Sequence, residues 1–126
     1  MLLVFVSSPS FAQSFDLVCQ GTRQTEVNGP ESPHNYGFRI DLSAKRWCWD
    51  HCERTFSMHE IAPERLVLLS EQKQSGSNRT FMSNEINRLT GEHEMVSIST
   101  GLGGSYFRIV GRCERRPFSG FPKPNF

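Results

Sequence analysis

Apolar and polar residues alternate along most of this chain, the signature of strands with one wet face. In "SFDLVCQG" Phe15, Leu17 and Cys19 share one face while Asp16, Val18 and Gln20 take the other. In "NYGFRIDL" Tyr36, Phe38, Ile40 and Leu42 alternate with Gly37, Arg39 and Asp41. In "SYFRIVGRCER" Phe107, Ile109, Gly111 and Cys113 oppose Tyr106, Arg108, Val110, Arg112 and Glu114. The same rhythm marks strands at 54–61, 65–72, 78–90 and 92–100, with "APE", "KQSGS", "TGE" and "GLGGS" as turns and "NGPESPHN" as a loop. With a short segment at Trp47, about eight strands are predicted. Only "APERLVLLSEQ" has a helical reading, and Pro63 ahead of a β-rich run limits it to a single turn.

Short connections imply antiparallel neighbours. An even-stranded meander then sets its first and last strands side by side, and closure removes exposed edges. The expected fold is all-β, a small antiparallel meander barrel or half-barrel over residues 13–116, followed by a tail at 117–126 rich in proline and phenylalanine. A chain of 126 residues is one domain's worth. Hydrophobic residues at 37% suffice for a modest core, and a net charge of +1 favours neither disorder nor nucleic-acid binding.

Residues 1–12, "MLLVFVSSPSFA", are uncharged, with an apolar block at Leu2 to Val6 and a small-x-small ending at Ser10 and Ala12. That pattern resembles the rear half of an export leader; a buried N-terminal strand is the alternative. The block is far shorter than the roughly 20 apolar residues a membrane span needs. A periplasmic or secreted monomer is expected. In an oxidising compartment the four cysteines read as two disulfides. Cys19 and Cys113 point inward on the first and last strands, which the meander brings together, so they are expected to pair and staple the barrel.

That leaves Cys48 and Cys52 in "RWCWDHC". In an extended strand residues four apart lie about 13 Å distant at roughly 3.3 Å per residue, whereas a disulfide needs Cα atoms within about 7 Å. A turn is therefore expected there. Zinc held by Cys48, His51, Cys52 and His59 is the competing reading, but Cys-x3-Cys with a histidine between does not match the paired ligand spacing of a finger. A redox pair is expected as Cys-x-x-Cys at a helix start.

Trp47, Trp49 and His51 form one half of a candidate binding surface; Tyr106, Arg108 and Arg112, on the outward phase of the last strand, form the other. The bland readings are a tryptophan plug at a barrel end and a solvated basic face interleaved with Glu114. His34, His51, His59 and His93 sit on four segments and are expected mostly at the surface or in loops. No nucleophile elbow supports a Ser-His-Asp set, and no catalytic, cofactor or metal residues are assigned.

The segments "FDLVCQG", "FRIDL", "RWCWDHC", "INRLTG" and "GRCERRPFSGFP", in this order, resemble those of a family of small exported β-proteins of proteobacteria. The resemblance implies compartment and architecture and carries no activity. A looser similarity is to periplasmic lysozyme-inhibitor barrels, which have an early Cys-x-Gly strand and a terminal cysteine. Their Ser-Gly-x-x-Tyr loop has its counterpart at Ser75, where Arg79 stands in the tyrosine position. The expected function is non-enzymatic: a binding module for a protein or envelope partner, or alternatively a lipocalin-like carrier with an apolar cavity of at least about 300 Å³, or a lysozyme-inhibitor-like protein.

Overall fold

A computed structural model describes residues 13–101 and 103–123. The leader reading at 1–12 and the last three positions of the tail lie outside the described residues. Nine strands form one antiparallel sheet: β1 (Ser14–Gln24), β2 (Ser32–Asp41), β3 (Arg46–Trp49), β4 (Phe56–Ser57), β5 (Glu60–Ile61), β6 (Arg65–Ser75), β7 (Asn78–Asn87), β8 (Glu92–Thr100) and β9 (Ser105–Arg116). Their spatial order is β4-β3-β2-β1-β9-β8-β7-β6-β5, a rolled half-barrel in which the first and last strands are central neighbours.

The alternation read from the sequence decides which face is inside. Phe15, Leu17, Phe38, Ile40 and Trp47 fill it from one side, and Leu66, Leu68, Ile86 and Ile109 from the other. Burying such side chains contributes roughly 1.5–3 kcal/mol each. A register shift between Val67 and Leu69 in the β6–β7 pairing marks a bulge. Beside it three consecutive residues, Leu66, Val67 and Leu68, are all buried, which strict alternation would not permit.

Cys19 and Cys113 are direct cross-strand partners and are disulfide-bonded, with Cα atoms 4.0 Å apart. Cys113 N–H donates to Gly91 O on the β8 side, so this is a non-hydrogen-bonded pair towards β1, the site where opposed side chains stand closest. Cys48 and Cys52 are joined across the turn after β3, Cα atoms 5.3 Å apart. Both bridges match the sequence reading, and neither Cys48 nor Cys52 is a thiolate available to zinc.

Three details differ from the sequence reading. The segment 54–61, read as one strand, is broken into β4 and β5, because its two halves pair with opposite ends of the sheet. Met58 N–H donates to Lys45 O and His59 N–H to Val67 O, so a two-residue link joins the ends of the roll. Second, β2 begins at Ser32, inside the expected loop. Its start lies beyond the reach of β3, which pairs only with Phe38 to Asp41, and an edge tolerates Pro33 because no ladder donor is needed there. Third, β6 and β7 run to the hairpin tip, leaving only Gly76 and Ser77 as the turn, with Gly76 at φ 62°. Only the first turn residue has positive φ, which is the II′ geometry suited to strand twist.

The tail folds back over the outer face of β1 and β2. Arg39 Nη1 donates to Gly120 O at 2.8 Å, and Ser119 N–H to Asp16 Oδ1 at 3.2 Å. Phe118 and Phe121 stack edge to face within it.

Candidate functional site

The two halves of the expected binding surface lie on opposite faces of the sheet. Trp47 and Trp49 are both on the inner phase of β3. Trp47 is buried, and its Nε1–H donates to Leu68 O at 3.1 Å, tying β3 to β6 across the interior. It belongs to the core and not to a surface, since a side chain that closes the gap between sheet ends cannot also meet a partner. Trp49, half-buried, packs on Phe38 with ring centroids 4.8 Å apart. His51 is exposed in the turn, 3.1 Å from Asp50 Oδ1. Tyr106, Arg108 and Arg112 point outward from β9, where Arg108 pairs with Glu94 at 2.9 Å and Arg112 with Glu92 at 3.7 Å. Arg46, next to Trp47, hydrogen-bonds Thr55 and Ser57.

Tyr106 has company that the sequence reading missed. Phe81 on β7, Ile98 on β8 and Tyr106 on β9 are successive cross-strand partners, all on the outer face. Phe81 is 38% exposed although large and apolar. Open clefts of about 570 and 850 Å³ flank Ile98, the first bordered by Arg79 and Phe81, the second by Val27 and Tyr106. The available signal was the outward phase of 92–100: Val96 and Ile98 continue the positions of Glu92 and Glu94, an apolar turn in an otherwise wet register.

The second feature missed is a buried polar chain. His93, expected at the surface, is 3% exposed because it shares the inward phase of Met95. The row across it is His34, Gly21, Gly111, His93 and Ile86. Two glycines in that row leave room for Tyr36 to lean over: a Cβ on Gly111 would stand 2.5 Å from the Tyr36 hydroxyl. Tyr36 Oη lies 2.7 Å from His93 Nδ1, and His93 Nε2 lies 2.6 Å from Asn84 Oδ1. Because Asn84 Oδ1 only accepts, Nε2 carries the proton and Nδ1 accepts from the Tyr36 hydroxyl. Burial pushes His93 down to about 4 and raises the Tyr36 phenol above its ordinary value. Asn84 Nδ2 has no hydrogen-bond partner among the described residues. This chain, with His34 stacked on Tyr36 at 5.4 Å, sits under core side chains, so its chemistry orders the interior.

No protein-family model, curated protein or solved structure matches this chain. Among the described residues no helix is long and apolar enough to cross a membrane.

Proposed function

We propose that the protein acts by binding a protein or envelope partner outside the cytoplasm, and not by catalysis, with the outward Phe81, Ile98 and Tyr106 row as the contact. The observation that carries this is a contiguous apolar and aromatic row, Phe81 exposed and Ile98 and Tyr106 half-buried, on the outer face of a sheet whose inner face carries the core. Aromatic anchors set among polar neighbours are the usual centre of a protein contact, and an apolar patch on a wet face marks such sites. Arg79 and Arg108 border the row and supply a polar rim. Two disulfides support the periplasmic or secreted compartment, where they persist.

A photoreactive residue at position 81, compared with one at Ser43 in the β2–β3 turn, tests the reading on envelope preparations. One dominant cross-linked partner at 81, absent at 43 and lost on Ile98→Asp, is expected. Matching cross-link patterns at both positions, or a partner that survives Ile98→Asp, would remove the row as the contact. Added lysozyme as the species trapped at 81 would instead favour the inhibitor-like alternative.

A further inference from the structure

A second concavity lies at the opposite end of the roll, away from the Phe81 row. It has a volume of about 530 Å³, within the range of small-molecule sites. Its floor is made of the core side chains Phe15, Leu17, Leu66 and Ile86, so an apolar group entering it meets the interior of the half-barrel. Its lip is Leu89, 76% exposed, the most exposed large apolar side chain described. Two guanidinium groups, Arg88 and Arg115, border the opening, and among the described residues no carboxylate lines it.

The lip is held in place. Asn87 Oδ1 accepts from the N–H groups of Leu89 and Thr90 at 2.9 and 3.1 Å. Gly91 N–H returns to Asn87 O, Arg88 N–H donates to Glu64 O, and Gly91 O accepts from Cys113. Gly91 at φ 79° closes the turn in a conformation other residues rarely adopt. The segment "INRLTG" thus fixes an exposed leucine and an arginine side by side at the mouth of an apolar cleft. The Arg115 guanidinium carbon lies over the Phe15 ring, 4.7 Å from its centroid. Arg88 Nη1 donates to Ala62 O at 2.9 Å, and no ion pair to it is formed among the described residues.

We propose that this basal cleft binds a single-chain fatty carboxylate, its alkyl chain over Leu17, Leu66 and Ile86 and its head at Arg88. An apolar floor with the Arg88 guanidinium at its border is complementary to an amphiphile whose one charge is negative and terminal. A guanidinium already holding one carbonyl has a remaining edge that suits a two-oxygen, singly charged head. The site is separate from the Phe81 row and does not depend on the partner-binding reading.

Calorimetric titration of the full chain with dodecanoate, below its micelle concentration, tests the site. Dodecanol and dodecyl phosphate serve as comparison ligands, and backbone amide shifts locate whatever binds. Saturable 1:1 binding of dodecanoate is expected, with the amides of Leu89 and Gly91 shifting most. Arg88→Gln should weaken dodecanoate by at least about tenfold, the loss of a charge-assisted contact, and leave dodecanol within about twofold of the parent value. Leu89→Asp should abolish both. Both substitutions fall on an exposed turn, and retention of the native amide spectrum confirms the fold. The proposal is overturned by no saturable binding, by equal affinity in the parent and both variants, by shifts centred on Ile98, or by dodecyl phosphate binding more than about tenfold tighter than the carboxylate. It is also overturned if a photoreactive residue at 89 captures the chain's own residues 1–12 and dodecanoate does not displace them.

Discussion

His93 carries a prediction that no surface histidine would. Buried between Tyr36 and Asn84, with the Phe38 ring 5.0 Å away, it is held neutral down to about pH 4. In the unfolded chain the same imidazole protonates near 6.5. Above that value both states are neutral and stability is at its full level. As pH falls through 6.5 the unfolded state gains a proton that the native state refuses, so stability declines until the native group titrates near 4. A difference of that size corresponds to about 3 kcal/mol, a large share of a small domain's total. The other titratable groups facing it are the Tyr36 phenol and, stacked behind it, His34, which is half-buried and near solvent. Urea unfolding at pH 7 and at pH 4 should therefore differ by roughly that amount, and His93→Gln should flatten most of the difference. A parent protein whose midpoint does not move between those two values would show that His93 is not held neutral. The burial itself was legible as phase, since His93 is two residues from Met95 on one strand. Its partners were not, because Tyr36 and Asn84 come from strands whose register relative to β8 no local pattern records.

At the scale of strands the two disulfides look alike in number and differ in consequence. Cys19 and Cys113 are 94 residues apart and pin the central pair β1 and β9; Cys48 and Cys52 are 4 apart and pin one turn. Chain-entropy scaling assigns roughly 4 to 5 kcal/mol to the long loop and about 2 to the short one, as model-dependent figures. Replacing Cys19 and Cys113 together by alanine should lower the urea midpoint at least about twice as far as replacing Cys48 and Cys52. Equal shifts would mean that the denatured chain is already held together by other contacts. These pairings were readable before any coordinates because they rest on period-2 faces and a distance limit, both local. The inner faces of β1, β2 and β9 were readable for the same reason. The Phe81, Ile98 and Tyr106 row was not: each residue is one apolar side chain on an otherwise polar phase, and only cross-strand register lines them up. The split between Trp47 and Tyr106 was hidden likewise, since inward and outward phases of two separate strands can be compared only after the sheet is assembled.

The whole molecule is a meander whose ends nearly meet, and its weakest place follows from how they do. Counted as elements the strands number nine, but β4 and β5 are one passage of chain interrupted by Met58 and His59, which restores the even parity that sets β1 against β9. The interruption could not be seen in "RTFSMHEI" because it is imposed from both sides, by β3 on one half and β6 on the other. Each half has only two paired residues, whereas β1 pairs along nearly its full length with both β2 and β9. The link at 58 and 59 is fastened by two backbone hydrogen bonds, the Trp47 indole, the Arg46 bonds to Thr55 and Ser57 and the partly buried Phe56, Met58 and Ile61, while the centre is fastened by a disulfide and continuous ladders. Sheets open where few buried contacts hold them. Native-state hydrogen exchange should show the amides of Met58 and His59 opening at least about a hundredfold more readily than those of Cys19 and Ile109. Trp47→Phe, which removes the donor to Leu68 O, should widen that gap by loosening the joint without touching the centre. If the amides at the joint exchange as slowly as those of β1, and the tryptophan substitution slows or leaves every rate unchanged, the ends are locked as firmly as the middle and the roll behaves as a closed cooperative barrel.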